Sequence, residues 1–295
     1  MDAGEANKAY GKRALVVEGG AMRGIFAAGV LDAFIEQQHY PYDACYGVSA
    51  GSTALAAYLS GQKGRTRAII ADYSCRPEFI NFRRFFGGGH LLDLDWLWPI
   101  TLNELPFDFD AFERRAIPLL IGVTEVNSGQ GRYLRANRDD LAMLMKASCS
   151  VPVGYRGFVS LNGQAYTDGG VADSIPVRQA YQQGYRDLTV VLSQPLGYRK
   201  RPSRFPWLLR WALREHPPLL AAMEARHRQY NQTLAFISEP PKDCRIRVLV
   251  PPPAFAVGRL TRAPQALASG YELGRDCGLA HVRRQAEAAA EVLAP

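Results

Sequence analysis

Cysteine and histidine are scarce in this sequence, with 5 of each in 295 residues. Cys45, Cys75, Cys149, Cys244 and Cys277 stand singly, without a CxxC pair or a cluster of histidines beside them. An odd, scattered set gives neither a disulfide framework nor a metal-ligand spacing, so buried free thiols and no metal are expected. No apolar run approaches the roughly 18 residues that a membrane-crossing helix needs. Residues 1–10 are polar and lack the apolar core of a secretory leader. The expectation is a soluble, cytoplasmic protein. Cofactor signatures are missing too. Gly19-Gly20 is followed by Gly24 at a spacing that does not complete G-x-G-x-x-G, and there is no Walker Lys-Ser/Thr pair. No cofactor is expected. We find no internal repeat, low-complexity linker or domain boundary, and the sequence gives no oligomeric state.

What is present is an ordinary globular composition, 47% hydrophobic and 21% charged, with a net charge of +7. The positive balance invites an anionic partner, nucleic acid or an anionic membrane surface, and charge alone does not choose between them. Short apolar runs predict strands over 13–18, 42–48, 117–123, 188–193 and 245–250. Helical patterns fall over 24–38, 50–59, 139–147, 176–181 and 219–237, with a closing helix over 285–293. Strands alternating with helices predict an α/β fold, a mostly parallel sheet covered on both faces. Two stretches interrupt the alternation. Residues 79–100 hold Phe79, Phe82, Phe85, Phe86, Trp96 and Trp98 around Gly87-Gly88-Gly89, a candidate apolar binding wall or lid, or ordinary core. Residues 198–214 interleave Arg199, Lys200, Arg201, Arg204, Arg210 and Arg214 with Phe205, Trp207 and Trp211. That pattern suits a contact with an anionic membrane surface, or a solvated helix and loop.

Gly47-Val48-Ser49-Ala50-Gly51 matches G-x-S-x-G between a predicted strand and a predicted helix. A serine on such a turn projects its hydroxyl above the sheet, and Gly47 and Gly51 let strand and helix approach closely. The helix N-terminus then aims free amides at the reacting centre. Ser49 is the candidate nucleophile. Glu18-Gly19-Gly20-Ala21-Met22-Arg23-Gly24 follows the first strand, and its consecutive glycines allow backbone amides to converge as an oxyanion hole. Arg23 in the first helical turn opposes the helix dipole, which a nearby anion would explain; a solvated surface arginine is the other reading.

A G-x-S-x-G hydrolase normally has a histidine base late in the chain. None of His39, His90, His216, His227 and His281 sits on a loop directly after a late strand, although His216 or His281 would serve a Ser-His-Asp α/β-hydrolase of small soluble esters. Asp168-Gly169-Gly170 is the better partner. It follows a predicted hairpin over 158–167 turning at Asn162-Gly163, and Gly169 and Gly170 allow a sharp turn that leaves the carboxylate at a strand end. Burial would make such an aspartate a better base. A non-catalytic lipid- or nucleic-acid-binding module would explain the charge but not these three motifs.

Together the glycine loop at 19–24, the elbow at 47–51, Asp-Gly-Gly at 168–170 and Ala-Ser-Cys-Ser-Val-Pro at 147–152 resemble the patatin-like phospholipase family. Order and spacing agree over about 13–195. The stretches at 92–95 and 105–108 look like the bacterial branch. The resemblance implies a three-layer α/β/α sandwich and a Ser49–Asp168 dyad. It also implies an oxyanion hole from residues 19–24, acyl hydrolysis of a lipid ester, no metal and no nucleic-acid partner. One domain over 1–295 is expected, its catalytic core at about 13–195 and a C-terminal extension at about 196–295 packed upon it. Two positions depart from the family pattern: Ala21 stands where a third glycine is frequent, and Ser174 where an asparagine often precedes Ile-Pro.

Overall fold

The computed structural model describes residues 11–293, so the reading of residues 1–10 lies outside the described part. Eight strands form one mixed sheet: β1 (Arg13–Val17), β2 (Ala44–Val48), β3 (Leu119–Glu125), β4 (Gly131–Arg135), β5 (Val159–Leu161), β6 (Gln164–Asp168), β7 (Asp187–Val191) and β8 (Arg245–Leu249). Five of them run parallel in the order β3-β2-β1-β7-β8, and β4, β5 and β6 add antiparallel pairs. The strand alternation sorts side chains by face. Leu15 and Val17 pack with α1 (Gly24–Glu36), α2 (Ala50–Leu59) and α3 (Leu141–Cys149), through Phe26, Phe34, Leu55, Tyr58 and Leu144. Ala14 and Val16 face α4 (Val177–Gln182) and α5 (Pro217–Ser238), through Val177, Ala180, Tyr230 and Ile237. Helices on both faces of a mostly parallel sheet give the three layers.

The order of strands explains how distant motifs meet. Along β3, Gly122 pairs with Val48 of β2 and the next residue, Val123, pairs with Asp168 of β6. Strand β4 pairs with the same stretch, Leu120 to Thr124, and so occupies the opposite edge. Strands β2 and β6 therefore abut end to end on one edge of β3. The end of β2 and the end of β6 are neighbours there.

Three expectations change in detail. Strand β4 was not anticipated, because Gly-Arg-Tyr-Leu-Arg is half exposed and shows no apolar run. The aromatic stretch and its continuation fold into helices Phe82–Phe86, Leu94–Glu104 and Phe109–Arg115. The closing helix, α6, spans Pro264–Leu293 rather than 285–293 alone. Glycines usually weaken a helix, yet α6 uses them against α1. A Cβ on Gly274 would lie 2.1 Å from the Phe26 carbonyl oxygen, and one on Gly29 2.1 Å from that of Tyr271. Each helix thus offers a glycine where the other's backbone passes.

Candidate active site

Strand β2 is buried throughout and ends at Val48, and α2 begins at Ala50. Ser49 between them has φ 53° and ψ −129°, a positive φ that costs a non-glycine residue about 1–3 kcal/mol. A Cβ on Gly47 would lie 2.7 Å from the Ser52 Cα, and one on Gly51 2.5 Å from the Val17 carbonyl oxygen. The elbow is held by polar contacts. The Ser49 amide donates to the Ser148 hydroxyl at 2.7 Å, and that hydroxyl donates onward to the Gly122 carbonyl at 2.6 Å. The Ser52 hydroxyl donates to the Ser49 carbonyl at 2.7 Å. Ser148 is the positioning residue that sequence reasoning missed; its only signal was membership of the 147–152 stretch.

Asp168 closes β6 and is 3% exposed, beside Ser49 at 8%. Its amide donates to the Ser150 carbonyl at 3.1 Å, and its carbonyl accepts from Thr124 at 2.8 Å. One carboxylate oxygen accepts from the Gly170 amide at 2.7 Å. Burial raises the Asp168 pKa above the usual carboxylate value; the Arg226 guanidinium, the Ser49 hydroxyl and the Gly170 amide act against that rise. The result is a desolvated carboxylate in contact with the serine, a stronger base than an exposed aspartate.

The glycine loop lies across from both. Its amides are unequal. That of Gly19 donates to the Ser174 carbonyl at 3.2 Å, that of Met22 to the Arg259 carbonyl at 3.5 Å, and that of Arg23 to the Gly20 carbonyl at 3.2 Å. The Gly20 and Ala21 amides have no partner among the described residues, leaving them as the pair able to receive an oxyanion. Ala21 has φ 50°, the conformation for which a glycine is the unstrained choice. Gly24 closes the loop, where a Cβ would meet that of Ala50 at 2.9 Å. Arg23 is no solvated surface residue: it is 7% exposed and donates to the Ser193 hydroxyl at 3.0 Å.

An apolar pocket opens beside Ser49, lined by Met22, Phe79, Ile80, Leu94, Leu97 and Trp98. The aromatic stretch is thus divided. Phe79 and Ile80 are buried against the pocket, whereas Phe82 and Phe86 point outward, 49% and 84% exposed. A larger cavity of about 330 Å³ lies between Phe85, Phe158 and Trp211 and touches neither Ser49 nor Asp168. The histidines are elsewhere. His39 and His281 share a small recess with Tyr42 and Asp187, His90 stacks on Tyr155, His216 packs on Phe158 and His227 bonds to the Glu224 carbonyl. Among the described residues, no group of three or more His, Cys, Asp or Glu is placed to hold a metal ion.

Fold and site together define a class: an α/β/α protein with a strained elbow serine beside a buried aspartate and a glycine-rich loop. The chain matches the family described as patatin-like phospholipase over residues 15–181, more than half its length. It is 37% identical to the uncharacterized protein YjjU of Escherichia coli over 283 residues, covering 91% of this chain and 76% of the relative. This chain belongs to the patatin-like phospholipase family. Residues 216–289 match a domain of unknown function, DUF6363. The crystal structure of VipD from Legionella pneumophila shows a looser likeness, with 13% identity and a TM-score of 0.44 over 92% of this chain and 66% of that one.

Proposed function

We propose that this protein is a lipid acyl hydrolase in which Ser49 is the nucleophile and Asp168 the sole general base. The Ser49 hydroxyl attacks the ester carbonyl carbon while its proton passes to Asp168. The oxyanion is received by the Gly20 and Ala21 amides at the positive end of α2. Asp168 returns the proton to the departing alcohol, leaving an acyl-serine. Water then attacks, Asp168 takes its proton, and the fatty acid leaves as the serine is restored. The observation that carries this reading is the buried Asp168 beside the strained Ser49, facing an apolar pocket with no histidine in reach. The acyl chain occupies the side lined by Phe79, Ile80 and Leu97. Among the described residues no helix is long and apolar enough to cross a membrane. Access to lipid is by peripheral contact with an anionic surface, supported by the exposed Phe205, Trp207 and Trp211 amid arginines.

Ser49→Ala and Asp168→Ala each abolish hydrolysis of a p-nitrophenyl acyl ester while the circular dichroism spectrum stays native. Because Asp168 must be ionised and burial raises its pKa, kcat/KM falls on the acid side with a midpoint above the reference value of about 3.9. His39→Phe and His281→Phe leave that profile unchanged. Near-normal turnover in Asp168→Ala, with loss in a histidine variant, would refute the dyad.

A further inference from the structure

Around Asp168, four basic side chains gather: Arg23, Lys200, Arg226 and Arg259. The last three come from beyond the stretch that matches the family, two of them from the region of unknown function. Their placement is concrete. A Cβ on Gly170 would lie 2.8 Å from an Asp168 carboxylate oxygen, 3.1 Å from Arg226 Nη2 and 3.2 Å from the Ser174 hydroxyl. Arg226 and Asp168 therefore face each other across Gly170. Lys200 Nζ donates to that Ser174 hydroxyl at 3.4 Å and lies 4.2 Å above the Tyr230 ring. Arg259 lines the same pocket as Ser49. Ser174 links the parts, since its carbonyl accepts the Gly19 amide and its hydroxyl donates to the Gly170 carbonyl at 3.0 Å.

The neighbouring carboxylates do not match this charge. Glu18 is committed, one oxygen accepting from the Ser193 amide at 2.7 Å and the other from the Tyr230 hydroxyl at 3.0 Å. Asp168 is the other. No ion pair within 4.0 Å forms at any of the four cations among the described residues, and the Nε atoms of Arg23 and Arg226 are buried without a hydrogen-bond partner. Burial lowers Lys200 to about 6, helped by Arg226 and Arg259 and opposed by Glu18. Burial first, then Arg259, lowers Arg226 to about 10. Arg23 and Arg226, desolvated and left unpaired, are costly unless an anion joins them.

We propose that Lys200, Arg226 and Arg259, together with Arg23, form a subsite beside the dyad for a terminal phosphate, so that the preferred substrate is an acyl ester ending in a phosphate monoester rather than a headgroup diester. Several cationic donors from separate elements suit a tetrahedral dianion with its spread of oxygens better than a planar carboxylate, which two donors satisfy. The phosphate binds on the Lys200 side while the acyl chain enters the apolar side, and the scissile carbonyl lies between them over Ser49. The substrate part rests on the acyl-hydrolase reading; the anion site does not.

Two measurements test it. The first compares kcat/KM for a 1-acylglycerol 3-phosphate with that for the matching 1-acylglycerol 3-phosphocholine. Wild-type protein prefers the phosphate monoester, and Lys200→Met or Arg226→Gln lowers the ratio about threefold or more. The ratio matters because Arg226 also acts on Asp168 and affects turnover of both esters. The second uses Ser49→Ala protein, which needs no turnover. Glycerol 3-phosphate raises its melting temperature, and adding Lys200→Met removes the rise. Without ligand at pH 7, Lys200→Met melts close to wild type, since burial already holds the free amine largely neutral. Failure to hydrolyse either ester, with the melting shift intact, sinks the hydrolase reading and supports the subsite. Equal stabilisation by inorganic phosphate with no preference between the esters overturns the substrate assignment in favour of free phosphate. No shift with either anion, or a shift that Lys200→Met retains in full, overturns the subsite itself.

Discussion

Ser148 shows how much of the candidate site's shape is held by a side chain outside the proposed dyad. Its hydroxyl accepts from the Ser49 amide and donates to the Gly122 carbonyl, so one oxygen ties the strained turn to the neighbouring strand. Ser148→Ala leaves a buried donor and a buried acceptor unsatisfied, at a cost of about 1–3 kcal/mol. The expected outcome is a lower urea midpoint and a fall in kcat on a p-nitrophenyl ester that exceeds any change in KM. An unchanged kcat would mean that the turn keeps its shape without this tie. The proposed nucleophile and base stand out in sequence because each lies in a short contiguous motif, G-x-S-x-G or Asp-Gly-Gly. Ser148 and the Lys200–Arg226–Arg259 group do not. Their meaning arises only when separate segments converge: Arg226 and Arg259 stand outside any motif, and Lys200 reads in sequence as one cation of the 198–214 stretch.

Among elements, legibility followed burial. Strands β1, β2 and β7 are buried on both faces and read as plain apolar runs, and the Asn162-Gly163 turn read as a hairpin, with φ of 51° and 77°. Strand β4 pairs through its backbone while its side chains remain half exposed, so no pattern marked it. Helix α6 begins well before the expected 285–293, and Gly270, Gly274 and Gly278 in its earlier turns form its close-packing side. The basic-aromatic stretch folds in part into helix Pro206–Ala212, with Phe205, Trp207 and Trp211 58%, 67% and 62% exposed. Aromatic rings and arginines displayed together favour an anionic interface by about 1 kcal/mol per cation near the surface. Reversing Arg199, Arg201 and Arg204 to glutamate should cut co-sedimentation with phosphatidylserine-containing vesicles more than tenfold at low salt. Binding that ignores both the reversal and added salt would remove this element from the interface.

For the whole molecule, buried titratable groups set the response to acid. His39 and His281, with ring centroids 5.9 Å apart, are each lowered to about 4 by burial and stay neutral in the fold at pH 7. Their contribution to stability is present above the unfolded value of about 6.5 and is lost as pH falls through about 4. Asp173 works in the opposite sense. Burial raises it to about 6, against a hydrogen bond from Tyr133, so its contribution is present below about 4 and is lost as pH rises through 6. Asp168 and Asp32, also raised by burial, act in the same sense as Asp173, so the contribution of one group is read as a difference. The unfolding free energy of Asp173→Asn from urea titration, relative to wild type, should fall as pH drops from 7 to 4, because a group whose stabilisation grows over that range is gone. A difference that does not change with pH would contradict the assignment. The end-to-end meeting of β2 and β6 on one edge of β3 has a kinetic consequence. Neither Ser49 nor Asp168 finds its partner until strands far apart in the chain have closed their loops, the slow part of folding. In a refolding experiment, helical signal returns before hydrolysis does, and the first turnover marks the completion of the sheet.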